Sequence, residues 1–151
     1  TRLVLRMIEE TVRPGITLLD VGTGTGILAI AGIKLGATSA VALDNDSWAY
    51  ENAVENVRLN SVEKHVQILL GDLSSVAGRT FTMIVANIQR SVIEPLVPQM
   101  RAMLAPGGKM ILSGLLLEDE EPMVRALLSA GCIVVSTLKE NEWVALLCEP
   151  R

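Results

Sequence analysis

Residues 18–31 read LLDVGTGTGILAIA: an apolar run, glycines at positions 22, 24 and 26, and a second apolar run. The first run suits a buried strand and the second a helix, so the glycines fall in a strand-to-helix turn. Glycine has no side chain to hold a neighbour away from the backbone and takes left-handed conformations freely. A turn with three glycines can therefore bring a ligand against the peptide groups, with the amides of the following helix donating to an anionic part of it.

Outward from that turn, β-branched runs alternate with helical spacing. Residues 2–12 form an amphipathic helix ended by Pro14-Gly15, and residues 16–21 the strand before the turn. A helix over 26–35 closed by Gly36, a strand over 39–44 and a helix over 47–59 capped by Asp46 or Ser47 follow. Strands are expected at 65–72 and 81–88, with too few residues in 74–80 for a full crossover helix. A helix over 91–104 stops before Pro106-Gly107-Gly108, and residues 109–114 make the next strand. The acidic start EDEEP (118–122) suits the positive end of a helix that Gly131 closes. This alternation implies right-handed crossovers and a parallel sheet covered on both faces.

The end of the chain breaks the rhythm. Strands over 132–140 and 143–149 are separated only by Asn141-Glu142, whereas a parallel return needs about a dozen residues or more. They must pair as an antiparallel hairpin. The expected fold is α/β: a Rossmann-like three-layer sandwich whose seven-stranded, mostly parallel sheet ends in an antiparallel hairpin. One domain is expected across residues 1–151, a length that suits a single core.

Composition narrows the function. Half of the residues are hydrophobic and a fifth charged, as in a compact domain. The formal charge is −4, and the aromatics are only Trp48, Tyr50, Phe81 and Trp143. Neither feature favours a phosphate backbone or stacked bases, so no direct nucleic-acid binding is expected. The charge-free run from Val21 to Ile33 is too short to span a bilayer, which takes about 20 apolar residues. The opening residues carry no signal-peptide pattern, so none is expected, and Cys132 and Cys148 lie in expected strands without metal-ligand spacing. A cytoplasmic protein with reduced thiols and no metal is expected.

Ligands of open α/β sheets bind at the carboxyl ends of the strands. Here those ends are Asp20 with the glycine turn, Asp44, Gly71-Asp72, Asn87 and Ser113-Gly114. Asp44, 22 residues beyond Gly22, is placed to accept the two hydroxyls of an adenosine ribose. The spacing Gly22-x-Gly24-x-Gly26 departs from the dinucleotide pattern G-x-G-x-x-G, the terminal hairpin is foreign to that fold, and no second domain for a hydride acceptor is expected within these residues. S-adenosylmethionine is therefore favoured as cofactor, its amino-acid carboxylate facing the helix start.

The segments LLDVGTGTG, VALDND, GDL, VANI and PGGKMILSG together resemble the class I S-adenosylmethionine-dependent methyltransferases over essentially the whole chain. VANI without a following Pro-Pro, LAPGGKMILSGLL and NEWVALL resemble, within that class, the methyltransferases of ribosomal protein L11. The resemblance implies that Gly22 and its neighbours Thr23, Gly24 and Gly26 meet the methionine part of the cofactor. It implies that Asp44, with Asn45 beside it, meets the ribose, that Asp72 and Leu73 meet the adenine, and that Asn87 sits beside the reacting methyl group. Thr1 matches the last position of a Gly- and Thr-rich cofactor-binding segment of that family. The family's small N-terminal recognition domain has no counterpart here, which implies the catalytic part of a longer chain or a stand-alone relative with another acceptor. Gln89, where the family has an apolar residue, and Arg90 bear on acceptor choice.

The expected reaction is methylation of an amine nitrogen, a lysine side chain or the N-terminal amine of a large-subunit ribosomal protein. RNA or small-molecule methylation, or a non-catalytic S-adenosylmethionine-binding module, are the alternatives. Asn87 is expected as the catalytic residue, its side-chain oxygen accepting from the acceptor amine. Asp20 either braces the glycine turn or reaches the cofactor's ammonium group. His65 starts its strand, away from the site. Asp46 is expected as a helix cap, the EDEE run as a solvated helix start, and Trp143 as a packing residue.

Overall fold

The computed structural model describes all of residues 1–151. In the strand Thr17–Val21 (β1), Leu18 and Leu19 point to opposite faces of the sheet, and both are completely buried. Leu18 shares one apolar cluster with the even positions Ala40 and Ala42 of Ser39–Asp44 (β2) and with Met83 and Val85 of Phe81–Asn87 (β4). Leu19 shares the other with Val41, Leu43, Ile84 and Ala86. Period-two side chains that are apolar on both sides need cover on both faces.

Helices provide it. Arg2–Thr11 (α1) buries Leu3, Val4, Met7 and Ile8 along one stripe, and joins Ile27–Lys34 (α2) and Ser47–Leu59 (α3) on the Leu18 face. Arg90–Ala102 (α4) and Glu120–Ser129 (α5) cover the Leu19 face with Ile93, Val97, Met100, Met123 and Leu127. The result is the expected three-layer sandwich. Asp46 caps α3 as expected, its carboxylate accepting from the Trp48 amide at 2.9 Å.

With Val66–Leu70 (β3), Leu104–Leu116 (β5), Cys132–Glu140 (β6) and Trp143–Pro150 (β7), the strands run in the order β3-β2-β1-β4-β5-β7-β6. All neighbours from β3 to β5 pair parallel. β7 pairs antiparallel with both β5 and β6, so it alone runs against the rest. The order reverses between β1 and β4, and the crevice at their carboxyl ends is where such folds bind ligands.

Two local expectations change and one holds. The helix expected over 91–104 is shorter and the strand expected from 109 starts earlier: α4 stops at Ala102, Leu104 pairs with Phe81, and the ladder resumes at Met83 with Lys109. Pro106-Gly107-Gly108 is absorbed inside β5 as an irregularity. As the short 74–80 segment led one to expect, the link between β3 and β4 holds no full helix, only a 3₁₀ turn, Leu73–Val76, started by Asp72 accepting from the Ser74 amide at 2.8 Å. The acidic run is not simply solvated either: Asp119 pairs with Arg90 at 2.8 Å, and Glu120 and Glu121 with Lys139 and Arg125. Both cysteines are free and buried, and burial pushes both thiols up. No helix is long and apolar enough to cross a membrane.

Candidate active site

The glycine turn is held by the strand next to it. The amides of Gly22 and Thr23 both donate to the Leu43 carbonyl, at 2.9 and 2.8 Å, and the Gly26 amide donates to Thr23 O at 3.0 Å. One oxygen of Asp44 accepts from the Gly24 amide at 2.9 Å and the other from the Asp46 amide at 3.0 Å. The donors of Gly22, Thr23, Gly24 and Gly26 are thus engaged inside the protein, so any amides offered to an anion are those of the following helix, as read from the sequence. All three glycines have left-handed φ, at 72°, 57° and 83°. A Cβ on Gly22 would meet Ile88 Cγ2 at 2.9 Å and one on Gly26 would meet Ala53 Cβ at 3.4 Å, whereas at Gly24 the space is open. Two of the three bare positions serve close packing; one faces outward.

Beneath the turn lies Asp20, completely buried. One carboxyl oxygen accepts from the Thr23 hydroxyl at 2.6 Å and the other has no partner. Burial pushes its pKa up to about 7, against the opposing pull of Thr23 and the Ala29 amide. Of the two roles read from the sequence, bracing has a contact in the structure. Asn56, on α3, donates to Thr25 O at 2.9 Å and ties the turn to that helix. A tether between residues 31 positions apart leaves no local signal in the sequence.

Two cavities open at the crevice. The smaller, about 200 Å³, is lined by Gly22, Asp44, Asn45, Asp72 and Leu73, with Ile88, Val92 and Leu96 supplying apolar wall. Hydrogen bonds from the Ser74 hydroxyl and amide hold the Asp72 carboxyl below its ordinary value. The larger, about 560 Å³, is lined by Thr1, Arg2, Asn87, Gln89, Ser113 and Gly114, and by Glu140, Asn141 and Trp143 of the hairpin. Ile88 belongs to both. Its backbone is pressed against Gly114, φ 80°, where a Cβ would come within 2.6 Å of the Ile88 carbonyl oxygen. The Asn87 amide group donates to the Thr1 hydroxyl at 3.1 Å.

The structure thus gathers Gly22, Asp44, Asn45, Asp72 and Leu73 in one cavity, and Thr1 and Asn87 in the other. Asp20 and Thr23 are buried under the turn, and Gly24 and Gly26 line neither space. Trp143 is not the expected packing residue: it is 44% exposed and lines the larger cavity. Arg90 does not line it; its guanidinium joins Asp119 and Glu94. His65 lies in a separate cleft with Ser39 and Arg79, at the amino ends of β2 and β3. No group of three or more His, Cys, Asp or Glu side chains is arranged to hold a metal ion.

The sequence matches the family model described as "Ribosomal protein L11 methyltransferase (PrmA)" over residues 1–150. It is 40% identical over 150 residues to a ribosomal protein L11 methyltransferase of Desulforapulum autotrophicum, covering 99% of this chain and 50% of that protein. It is 44% identical over 147 residues to one of Pelotomaculum thermopropionicum, covering 97% and 47%. The chain therefore spans about half the length of these curated relatives. The crystal structure of a ribosomal protein L11 methylase from Lactobacillus delbrueckii subsp. bulgaricus superposes with a TM-score of 0.92 at 31% identity, covering all of this chain and 78% of that one. By fold, by motif order and by these matches, the chain belongs to the ribosomal protein L11 methyltransferase family.

Proposed function

We propose that residues 1–151 are a methyltransferase catalytic domain that moves a methyl group from S-adenosylmethionine to an amine nitrogen of a protein. The acceptor is a lysine side chain or the N-terminal amine of ribosomal protein L11, and the setting is the cytoplasm. The observation that carries this reading is the pair of cavities meeting at Ile88, with Asn87 at the edge of the larger one.

The residues of the smaller cavity fit an adenosine. Leu73, Val92 and Leu96 offer apolar surface to a base, and Asp44 offers acceptors to a sugar diol. Each Asp44 oxygen already accepts one amide hydrogen, yet a carboxylate has about four lone-pair sites, so two more donors can be taken. Gly22 at the same cavity brings backbone close to whatever extends toward Ile88. When bound, the cofactor supplies an electrophilic methyl group on a cationic sulfur.

The chain's own part is positioning. Aligning a nucleophile with a reacting centre at near-contact distance removes a large share of a barrier, about 7–11 kcal/mol in favourable cases. A lysine amine, with a free pKa of about 10.4, must lose a proton before it attacks. Desolvation in the cavity, beside a positive charge, favours the neutral form. Because the Asn87 NH₂ group donates to Thr1, its carbonyl oxygen is left to accept an N–H of the acceptor. That contact would turn the nitrogen lone pair toward the methyl group of a bound cofactor. Thr1 is a positioning residue in this scheme, and Asn87 the catalytic one.

The test is Asn87→Ala, with S-adenosylhomocysteine binding and methyl transfer to L11 measured side by side. Binding within about twofold of the wild type and a rate lower by about 100-fold or more are expected if aim is lost and the cofactor site is kept. A wild-type rate would remove Asn87 from the mechanism. The net charge of −4 disfavours RNA as the acceptor, and methyl incorporation into ribosomal RNA instead of L11 would reverse that choice.

A further inference from the structure

The larger cavity is built around Asn87, but its outer wall comes from the far end of the chain. Glu140 and Trp143 flank the turn of the terminal hairpin, where Asn141 holds a left-handed φ of 54°. They are direct partners across the β6–β7 ladder, and directly opposed residues of an antiparallel pair project to the same side of the sheet. A carboxylate and an indole therefore stand next to each other over one cavity, which both of them line.

Glu140 is the only carboxylate lining that space, and Arg2 the only fixed cation. They make a single contact, Arg2 Nη1 to Glu140 Oε1 at 2.8 Å, with side chains 77% and 36% exposed. An ion pair so open to water and held through one nitrogen contributes little, and a second cation can replace Arg2 at small cost. Trp143 keeps 44% of its surface exposed, an apolar face suited to a methylene chain and to a cation above the ring.

We infer that the hairpin end is the receptor for a lysine-type acceptor: Trp143 takes the aliphatic stem, and Glu140 exchanges Arg2 for the incoming ammonium group. The ammonium is thereby gathered at the solvent-open cavity mouth, releases its proton to bulk water there, and passes on to Asn87 as the neutral amine. The inference rests on the amine-methylation reading and names the residues that select the acceptor. It predicts a preference: an aliphatic cation is retained, and an uncharged or anionic side chain of equal length is not.

Trp48 and Trp143 are the only tryptophans, and Trp48 lines neither cavity, so Trp48→Phe leaves Trp143 as the reporter. In that background, with S-adenosylhomocysteine present, Nα-acetyl-lysine methylamide and its uncharged isostere Nα-acetyl-norleucine methylamide are titrated against Trp143 fluorescence. The lysine probe should bind about fivefold tighter than the norleucine probe, the scale of one exposed charge pair. Glu140→Gln should erase that preference and raise KM for the lysine probe about fivefold at unchanged kcat, while Arg2→Gln should tighten the lysine probe. Equal binding of both probes to the wild-type cavity, or a preference that survives Glu140→Gln, overturns the inference. Lysine-selective binding through Glu140 without methyl transfer to any amine would instead sink the catalytic reading and leave the receptor standing.

Discussion

Asp20 shows how much one side chain can reveal about a turn. Its carboxyl is sealed under the glycines with one oxygen satisfied and one orphaned, and its pKa is raised from 3.8 to about 7. Between those values the folded chain holds a proton that the unfolded chain has released, so stability from this group is full below about pH 4 and is lost as pH rises toward 7. The slope is at most about 1.4 kcal/mol per pH unit. Melting temperatures of the wild type and Asp20→Asn, compared from about pH 5 to pH 8, should therefore diverge, the wild type falling relative to the variant. Parallel curves would mean that Asp20 is already ionised in the fold. In the proposed scheme Thr1 acts at the same scale, through its hydrogen bond with Asn87. Thr1→Val removes one hydrogen bond, worth about 1 kcal/mol, and should lower kcat about fivefold with S-adenosylhomocysteine affinity unchanged. Steady-state kinetics beside a binding titration separates the two effects.

At the scale of elements, β5 carries two left-handed glycines with different duties. Gly107, φ 75°, has nothing within 4 Å of where a Cβ would stand; Gly114, φ 80°, would place that atom inside the Ile88 backbone. Gly107→Ala should cost about 1–2 kcal/mol, the strain of a left-handed alanine. Gly114→Ala adds a backbone collision and should cost distinctly more, about 3 kcal/mol or above, while displacing the wall between the cavities. Urea unfolding of the two variants measures the difference, and equal losses would show that Ile88 yields freely. The tether from Asn56 to Thr25 is a contact of the same kind, between a helix and a turn it does not follow in sequence.

For the whole molecule, the two cavities and the sheet order make one expectation about ligands. Anything that binds the folded chain alone stabilises it by mass action, about 2.7 kcal/mol at one hundred times its Kd. S-adenosylhomocysteine at saturating concentration should raise the melting temperature by several degrees, and NADH at the same concentration should not. A shift with NADH would restore the dinucleotide reading that the Gly22-x-Gly24-x-Gly26 spacing argued against. The architecture behind this expectation is legible in the sequence: a two-residue link between strands forbids a parallel return, and strands that are apolar on both faces require helices on both. Asp44, Asp72 and Asn87 were legible as well, because each ends an apolar run and strand ends share one edge of a parallel sheet.

The sequence by itself determined the layer order, the reversed last strand and the residues at the sheet's carboxyl edge, since all of these follow from periodicity, loop length and position within a run. The tertiary structure alone decided what fills the spaces between them. Insertion of β7 between β5 and β6 brings Glu140 and Trp143 to a cavity shared with Asn87. The amides of the glycine turn are claimed by Leu43 and Asp44, and the bare face of Gly22 is covered by Ile88. Those partners lie roughly twenty to sixty-six residues apart along the chain. A hydrogen bond or a packing contact at such separation depends on where two elements dock, and no local pattern of residue types encodes it.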